Sequence, residues 1–328
     1  MLASWYIQQG RAGDVLRVGN LPDPEPLPGE VRVRVSVSGV DPGDAQKRNG
    51  WSPMDFPRII PHSDGAGVID AVGIGVPPDR IGERVWVYGA QTSRPYGTAA
   101  QFTCVPQNQA IPLPAQVGDE IGASLGSPGI TAHRAVFGDG PVAGQRVLVH
   151  GVLDTVGSLA AQLAVWGGAT VIATVSRTTD IEKAQARFPD CRAIVALDSA
   201  EAAADVLRTA PAGVERIVDG SLSHNVDFDA SVAADHAVIT AYGSTAYRPD
   251  FPFWQLAAAN VTLRLINSTS IPAAAKKQAA KVLTEAAATA RLDVPIAGRY
   301  PLTKIVCSHQ CVDEGVRGRV LVTIPPVG

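Results

Sequence analysis

The sequence predicts an α/β protein of two domains, in which a strand-rich region precedes a region built on a parallel sheet. The chain has 328 residues, more than one hydrophobic core usually organises. Its first ~125 residues contain short segments of period-two alternation separated by Pro and Gly, as in a strand-rich, partly barrelled domain. After Pro128, strand and helix patterns alternate along the chain. That alternation is typical of βαβ units, so we expect a doubly wound parallel sheet there.

The strand-rich region carries several segments of alternating apolar residues. The first long strand is preceded by four prolines, Pro22, Pro24, Pro26 and Pro28. Proline cannot continue a helix or a central strand. We therefore predict a connector there, followed by strands at residues 32–40, 65–73, 84–89 and 99–105.

The second region alternates apolar strands with helices. Strong helix formers and a polar face indicate one long helix over residues 273–292. Residues 260–270 predict an edge strand, which would be able to pair with a second copy across a two-fold axis. The remaining predicted elements are strands at 146–150, 170–175, 216–220, 236–243 and 318–325 and helices at about 155–166 and 200–209.

Composition and charge argue against several classes of protein. With 46% hydrophobic and 18% charged residues, the chain is able to bury a large core and is not typical of disorder. A net charge of −3 without a block of like charge argues against a nucleic-acid partner. No targeting pattern is present at the amino terminus, and no stretch reaches the ~20 apolar residues of a membrane span. We expect a cytoplasmic protein.

The four cysteines are dispersed and form no CxxC pair, which predicts reduced, mostly buried thiols rather than a disulfide framework. Cys307, His309 and Cys311 form the only local cluster. Their spacing would place both thiols on one face of a helix. Because no fourth ligand is nearby, we favour ordinary helix packing over metal binding.

The segment from residue 146 to residue 177 predicts a strand, a tight turn, a helix and a second strand. The amino end of this helix would face the carboxyl end of the first strand. In open α/β sheets, free backbone N–H groups bind a nucleotide pyrophosphate at that place. The glycine fingerprint is incomplete, since its three positions fall on Val152, Asp154 and Gly157. The order and spacing of the elements nevertheless predict a Rossmann-type dinucleotide site.

The end of the second strand favours NADPH over NADH as the cofactor. About twenty residues beyond Gly157, NAD-binding proteins carry a carboxylate for the ribose hydroxyls. Ser176 and Arg177 occupy that place here. A hydroxyl and a guanidinium suit a 2′-phosphate, because arginine makes charge-assisted and often bidentate contacts to phosphate.

Several segments together resemble the zinc-less quinone oxidoreductases of the medium-chain dehydrogenase/reductase superfamily. HGVLDTVG at residues 150–157 resembles that family's HGAxGGVG turn, and residues 38–50 resemble its G-V-N-P-x-D segment. The likeness extends over nearly the whole chain. Further segments that match in style are residues 61–73, 96–106, 126–136 and 301–322.

The resemblance implies a GroES-like catalytic domain formed by residues 1–125 and 293–328, a Rossmann domain over residues 126–292, and a homodimer. It also implies an enzyme that transfers hydride from NADPH to a quinone or to an activated alkene such as an enone. The cofactor carries the difficult step, so the protein must position the acceptor and exclude water. No obligatory nucleophile is needed.

The same resemblance separates this chain from zinc-dependent relatives. Their catalytic Cys falls on Asp41, and the His and Glu of their GHE motif fall on Ser63 and Asp64, with His62 one place away. Zinc requires three protein ligands in a fixed geometry, and two carboxylates without imidazole or thiolate are a poor substitute. We therefore expect no metal and no Lewis-acid route.

Three candidate catalytic residues follow from the resemblance. Asp41 matches a nicotinamide-proximal Asn, Asp44 matches an acid three residues later, and Thr131 matches a hydroxyl near the nicotinamide. Each also has a structural interpretation. Asp41 before Pro42 is able to initiate a turn, Asp44 to cap a short helix, and Thr131 to begin one.

The candidate substrate residues, and the cofactor contacts that end strand 236–243, come from the same resemblance. Gln46 and Ser52 replace two tyrosines of the family, and Trp51 is either a stacking face for an aromatic acceptor or a core residue. For the residues that end strand 236–243, packing is the alternative to cofactor contact. The predicted cofactor-binding residues are Leu153, Asp154, Thr155, Val156, Gly157, Ser176, Arg177, Tyr242, Gly243 and Ser244.

Two further expectations concern charged and titratable groups. His133 and His150 are expected to be structural, since a lone histidine without a placed partner is rarely a proton donor. Asp154 suggests an alternative function, that of a weakly active or non-catalytic nucleotide-binding sensor. Its carboxylate would be able to cap the helix amides that the pyrophosphate needs. In the other interpretation Asp154 turns outward and Thr155 caps the helix.

Overall fold

A computed structural model of the protein describes residues 1–327. The chain forms two compact units. The first comprises Met1–Pro128, Ala280–Ala288 and the chain from Val294 onward, and the second comprises Gly129–Ala279 and Thr289–Asp293. The first unit is rich in strands, and the second alternates strands with helices, as the sequence pattern predicts.

The strands are short except for β3, β4 and β12. In chain order the strands of the described residues are β1 (Leu2–Trp5), β2 (Arg17–Asn20), β3 (Glu30–Val40), β4 (Asp64–Val72), β5 (Arg84–Val87), β6 (Phe102–Pro106), β7 (Ala110–Pro112), β8 (Arg146–Val149), β9 (Thr170–Val175), β10 (Ala193–Ala196), β11 (Val214–Asp219), β12 (Ala233–Ala241), β13 (Thr262–Leu265), β14 (Ile296–Pro301) and β15 (Arg319–Thr323).

Most of the helices follow the boundary at Pro128. In chain order the α-helices of the described residues are α1 (Ala12–Val15), α2 (Pro42–Arg48), α3 (Asp119–Gly122), α4 (Ile130–Phe137), α5 (Thr155–Trp166), α6 (Ile181–Arg187), α7 (Ala202–Thr209), α8 (Leu222–Val232), α9 (Phe253–Ala258), α10 (Ala273–Ala288) and α11 (Ile305–Asp313). Single 3₁₀ turns lie at Pro78–Arg80, Gln107–Gln109, Thr178–Asp180, Ser268–Ser270 and Leu302–Lys304, and a π turn lies at Leu125–Gly129.

The first unit is organised by a mainly antiparallel sheet with the strand order β14-β15-β3-β4-β5-β7. Strand β6 pairs with β3 beside this path, and β14 runs parallel to β15. The alternation in β3 places Val31, Val33 and Val35 on a buried face, where they pack in apolar clusters. Strand β3 therefore forms the spine of this unit because its valines recur with period two.

The second unit contains a six-stranded parallel sheet with the order β10-β9-β8-β11-β12-β13. Numbered along the chain within the unit, this is the order 3-2-1-4-5-6 of dinucleotide-binding sheets. The apolar residues of β8, β9 and β11 are buried against the surrounding helices. Strand β13 lies at one edge of the sheet, as expected for residues 260–270.

Several predicted elements agree with the structure, and their limits differ where local backbone intervenes. The predicted helix 155–166 and strand 170–175 have the limits of α5 and β9. The helix predicted over 273–292 was too long, because α10 ends at Ala288 and Ala290 adopts a φ of 53°. A positive φ cannot continue a right-handed helix.

Helix α10 is divided between the two units, whereas the boundary predicted from the sequence places all of it in the Rossmann domain. Its last turns belong to the first unit. There the indole Nε1 of Trp86 donates a hydrogen bond to Oγ1 of Thr284 at 3.0 Å. Because Trp86 is buried, this bond satisfies its polar atom inside the first unit.

The prediction of mostly buried thiols was wrong. All four cysteines are free, but only Cys104 is buried, and Cys307 is exposed on α11. Helix α11 turns one side of its surface to solvent, so a cysteine at that position is not a core residue.

None of the helices in residues 1–327 combines the length and the apolar character that a membrane span requires.

Candidate functional site

The turn between β8 and α5 has the geometry of a dinucleotide-binding loop. Strand β8 ends at Val149, and Gly151 adopts a φ of 65°, which a glycine tolerates at low cost. The first intrahelical bond of α5 runs from Ser158 N to Asp154 O at 2.8 Å. The amides of the preceding helical residues therefore lie at the helix amino end, where the helix dipole favours an anion. Those residues are Thr155, Val156 and Gly157.

Gly157 packs directly against the backbone of the turn. A Cβ at this position would lie 2.2 Å from the carbonyl oxygen of Gly151 and 2.6 Å from that of His150. Only glycine fits, which is the role of the third glycine in a dinucleotide fingerprint. Val152 and Leu153 are buried. The sharp bend lies at Gly151, one residue before the position where the fingerprint expects a glycine.

The carboxylate of Asp154 does not cap α5, so the self-capping prediction was wrong. Asp154 has extended N-cap backbone angles, but its side chain makes no capping hydrogen bond. Its Oδ2 lies 2.6 Å from the point where a Cβ would stand on Gly151, so the carboxylate folds back over the turn. Gly151 has no side chain to block this rotamer. The alternative with Thr155 as N-cap was also wrong, because Thr155 is the first helical residue.

Ser176 and Arg177 are exposed directly after β9, at the carboxyl edge of the sheet. The structure adds an acid that sequence reasoning missed. The carboxylate of Asp198 accepts hydrogen bonds from Thr178 N at 2.9 Å and from Thr178 Oγ1 at 2.7 Å. Asp198 follows β10, which is the parallel neighbour of β9, so both strand ends meet at one edge. That topology is the signal that would have pointed to it.

The residues that follow β12 lie at the same carboxyl edge. Tyr242 N donates to Asp219 O at 3.0 Å, and a Cβ on Gly243 would lie 2.3 Å from the carbonyl oxygen of Gly220. Gly243 therefore has a packing role, which was the alternative interpretation. Ser244 is exposed and donates to the carbonyl of Ala246. Burial raises the pKa of Tyr242, and the nearby carboxylate of Asp154 adds to the shift.

A carboxylate cluster in the first unit contains the two predicted catalytic aspartates. Asp41 is the N-cap residue of α2, and Asp44 accepts a hydrogen bond from Asp41 N at 2.8 Å. Asp44 thus also caps the helix, as its structural interpretation proposed. Asp64, at the start of β4, is fully buried and accepts from Ser127 N at 2.8 Å.

Arg319 supplies the positive charge of this cluster. Its buried guanidinium donates to Asp41 Oδ1 at 2.5 Å and to Asp64 Oδ2 at 3.2 Å. Further bonds reach backbone carbonyls, including that of Ala123 at 2.8 Å. Sequence reasoning missed Arg319 because β15 is joined to β3 only by tertiary pairing.

Burial keeps part of this cluster protonated near neutral pH. Burial raises the pKa of Asp44 to about 7, and the charge of Asp41 adds to the shift. Burial likewise raises the pKa of Asp64 well above its ordinary value, with Asp41 acting in the same direction and Arg319 opposing it. Three carboxyl groups face one guanidinium, so full ionisation would leave uncompensated negative charge in a buried place.

The predicted substrate residues lie on the surface of the first unit. Gln46 and Ser52 are exposed, and the carbonyl of Ser52 accepts a hydrogen bond from Gln9 Nε2 at 2.6 Å. Trp51 is 68% exposed, so its alternative interpretation as a core residue was wrong. Thr131 lies in the second unit, where it is buried as the second residue of α4.

Two groups of buried histidines have partners that the sequence did not reveal. In the second unit, His150 Nε2 lies 2.7 Å from Asp229 Oδ1, and His150 Nδ1 lies 2.9 Å from Thr174 Oγ1. In the first unit, the rings of His62 and His309 stack with their Nε2 atoms 3.1 Å apart. His133 is a buried residue of α4.

The His, Cys, Asp and Glu side chains of the described residues do not converge on a common point that would hold a metal ion. Among residues 1–327, no group of three or more His, Cys, Asp and Glu side chains is arranged to hold a metal ion. Asp41 and Asp64, which match zinc-ligand positions of the relatives, instead share the Arg319 guanidinium.

Comparison with known proteins defines the class of protein to which this fold belongs. Residues 27–115 match the alcohol dehydrogenase GroES-like domain family. A mycobacterial quinone oxidoreductase is 27% identical in sequence, with a TM-score of 0.84 over 98% of this chain and 99% of that one. A mycobacterial protein complexed with NADPH is 25% identical, with a TM-score of 0.83 over 98% and 99% of the two chains. The fold is that of the medium-chain dehydrogenase/reductase superfamily.

Sequence similarity to quinone oxidoreductases covers part of the chain. Quinone oxidoreductase from Rattus norvegicus is 35% identical over 153 residues, which cover 46% of this chain and 45% of the rat protein. The chain thus matches about half the length of this relative. The chain is therefore similar to proteins of the quinone oxidoreductase type, which agrees with the resemblance found in its sequence.

Proposed function

We propose that the protein is an NADPH-dependent, zinc-independent oxidoreductase that reduces a quinone or an activated alkene. The β8–α5 turn carries this proposal. It combines a bend at Gly151, a helix packed on it through Gly157, and free helix amides at the carboxyl end of a parallel sheet. These features suit a pyrophosphate, because amides and the helix dipole both favour an anion.

The residues at the edge of the sheet fit a nicotinamide dinucleotide. The amides of Thr155, Val156 and Gly157 would hold the pyrophosphate, and Ser176 and Arg177 would hold a 2′-phosphate. Asp198 lies beside Ser176 and Arg177, and its negative charge weakens the preference for NADPH over NADH that Arg177 provides. We also assign Leu153, Asp154, Tyr242, Gly243 and Ser244 to the cofactor-binding edge. When bound, NADPH supplies a hydride to the acceptor.

Within the first unit, the carboxylate cluster would supply the proton that the reduced acceptor needs. Reduction of a quinone or enone consumes one hydride and one proton, and hydride delivery leaves negative charge on the acceptor oxygen. Asp44 retains a proton near neutral pH, so we assign it the role of proton donor. Asp41 would hold Asp44 through their capping bond. We assign Thr131 to the nicotinamide, and Gln46, Trp51 and Ser52 to the acceptor.

Zinc independence is supported by the charge already present in the cluster. A divalent cation at Asp41 and Asp64 would meet the Arg319 guanidinium, which both carboxylates bind. Bringing two cations to one buried place costs Coulomb energy that two carboxylates do not offset.

The second candidate function is a nucleotide-binding protein of weak or no activity. It is favoured by Asp154, whose carboxylate folds over Gly151 in the turn that would hold the pyrophosphate. Two like charges at close range repel, so this side chain would weaken cofactor binding unless it rotates.

We also propose a homodimer in the cytoplasm. Strand β13 is an edge strand, and Phe253, Trp254 and Leu265 expose large apolar surfaces in or near it. Exposed strand edges with apolar neighbours are commonly covered by a second chain. The free state of all four cysteines suits a reducing compartment. Sedimentation that finds only monomer would remove the dimer.

Cofactor titration tests the proposal. Saturable binding of NADPH, followed by its fluorescence, should be tighter than binding of NADH. In Arg177→Ala the ratio of the Kd for NADH to the Kd for NADPH should fall by about tenfold or more. Consumption of NADPH on addition of a naphthoquinone or an enone would distinguish the reductase from the sensor. If neither the protein nor Asp154→Gly binds NADPH, the reductase proposal fails. Tighter binding only in Asp154→Gly supports the impaired sensor.

A further inference from the structure

Beneath the dinucleotide turn lies a buried set of three polar side chains. His150 Nε2 and Asp229 Oδ1 are 2.7 Å apart, and His150 Nδ1 and Thr174 Oγ1 are 2.9 Å apart. The ring edge of Phe228 packs against the imidazole. The carboxylate of Asp219, at the end of β11, is the other charge that acts on His150.

The connectivity of hydroxyl, imidazole and carboxylate is that of a nucleophilic triad, but its burial excludes acyl transfer. Thr174 and Asp229 have no exposed surface, and His150 is 3% exposed. A nucleophile must reach the atom that it attacks, and no substrate atom reaches a hydroxyl inside a packed core. The three side chains therefore act on the protein itself.

The set is tied to the backbone of the turn at several points. Gly151 N donates to Thr174 Oγ1 at 3.4 Å, and Val152 N donates to Thr174 O at 3.0 Å. His150 N donates to Val218 O at 3.0 Å. The carbonyl oxygen of His150 also lies 2.6 Å from the point where a Cβ would stand on Gly157. A shift of the His150 side chain would therefore move the surface on which the first turn of α5 rests.

We propose that Asp229, His150 and Thr174 form a positioning triad that fixes the dinucleotide turn from below. Asp229 binds one edge of the imidazole, Thr174 binds the other, and the Thr174 hydroxyl passes this restraint to the Gly151 amide. These are positioning residues, since their side chains are buried beneath the turn and would act on the cofactor only through its backbone. The assignment rests on the proposed function, because it takes the turn to be the pyrophosphate site.

Two variants and a matched control test the triad in the full-length protein. Asp229→Asn keeps the shape of the side chain and removes its charge, and Thr174→Val removes the hydroxyl. Ile172→Val serves as the control, because Ile172 is buried on the same face of β9 but has no polar contact to the turn. It lowers stability through one lost methylene without touching the triad.

Three readouts are measured on each protein. We expect both triad variants to raise the Kd for NADPH about three- to tenfold, the change that one hydrogen bond carries. The KM for NADPH should rise while kcat at saturating NADPH holds. Amide hydrogen exchange at residues 150–153 should speed up by a similar factor in the cofactor-free protein. Ile172→Val should change none of the three.

The outcomes separate this proposal from the proposed function. If Asp229→Asn and Thr174→Val keep wild-type Kd and exchange rates, the triad is not a positioning device. An equal loss in Ile172→Val would also overturn it, since general destabilisation would then suffice. If the wild-type protein does not bind NADPH, the proposed function fails. In that case the amide exchange rates at residues 150–153, compared between the wild type and the variants, still show whether the triad restrains the turn.

Discussion

The two buried histidine groups of this protein behave in opposite ways although both are removed from water. In the first unit, burial lowers the pKa of His62 well below its ordinary value and lowers that of His309 to about 3, with Arg48 adding to the second shift. In the second unit, burial also opposes the charge on His150, but Asp229 outweighs it and the pKa of His150 is raised. The partner, and not the burial, decides the sign.

The first group forms a hydrogen-bond chain with a single direction. Arg48 Nε donates to His309 Nδ1 at 3.3 Å, because a guanidinium cannot accept. Neutral His309 then donates through Nε2 to His62, and His62 donates through Nδ1 to Ser38 Oγ at 2.8 Å. The chain continues from Ser38 through Thr98 Oγ1 to the carbonyl of Asp64. Every member is satisfied only while both imidazoles are neutral.

The largest expected effect comes from making His150 resemble His62. Asp229→Asn removes the charge of the carboxylate, and we expect a loss of up to about 3 kcal/mol in unfolding free energy, because a neutral hydrogen bond replaces a charge-assisted one. The pKa of His150 should fall below 6.5, which an NMR titration of the imidazole measures. In the wild type, a raised pKa gives stability that is present below about pH 6.5 and is lost as the pH rises through the folded-state pKa.

A pKa of His150 that stays raised in Asp229→Asn would contradict this prediction. It would mean that Asp219 carries the interaction. Asp219→Asn provides the comparison. Asp219 also accepts hydrogen bonds from Ser221 N and Asn225 Nδ2, so we expect this substitution to lower stability for that reason as well.

A smaller effect is expected from the pH dependence of the first group. The pKa values of His62 and His309 are lowered on folding, so the unfolded chain binds more protons below pH 6.5 and stability falls as the pH falls. From pH 6.5 to about pH 4, one such histidine contributes roughly 3 kcal/mol to this loss. His309→Gln should therefore show a shallower fall, measured by urea unfolding at several pH values.

The difference between the two proteins isolates this contribution, since other carboxylates titrate alike in both. An identical pH dependence in wild type and His309→Gln would show that the imidazole does not remain neutral on folding. The overall stability of the variant is not the readout, because His309 also binds Arg48.

The smallest expected effect tests the direction of the hydrogen bonds that run from Arg48 to Ser38. Ser38→Ala removes the acceptor of the His62 Nδ1–H, and an unsatisfied buried donor costs about 2 kcal/mol. The pH dependence should keep its sign, because the imidazoles stay buried and without a carboxylate partner. Ser308→Ala is the control, since the Ser308 hydroxyl is equally buried but bonds only to the carbonyl of Ile305 in its own helix. Equal losses in both variants would contradict a special role for the chain.

Much of the fold was predictable because local patterns dominate it. The apolar period of β3 and the strand, turn and helix from β8 to β9 follow from residues close in sequence. Residue-level limits failed where one backbone angle intervened, as at Ala290 after α10. The exposure of Cys307 also escaped prediction, because a cysteine at helical spacing does not reveal which side of its helix meets solvent.

The candidate site was predictable only in part. Gly157 and the exposed pair Ser176 and Arg177 lie where the sequence placed them along the β8–α5–β9 unit. The rotamer of Asp154 was not predictable, because it depends on the open space above Gly151. The partner of Asp41 was hidden for another reason, since Arg319 approaches it across a strand pairing between distant parts of the chain.

By itself the sequence determined the two-domain α/β plan, the turn before α5 and the absence of cysteine or histidine at Asp41, Ser63 and Asp64. These features depend on periodicity, spacing and residue type, which neighbouring residues specify. The tertiary structure alone decided which charge each buried group meets. In the folded protein Asp229 contacts His150, Arg48 contacts His309, and Arg319 contacts both Asp41 and Asp64. Electrostatic energy depends on distance in space, and a folded chain brings together residues that its sequence keeps far apart.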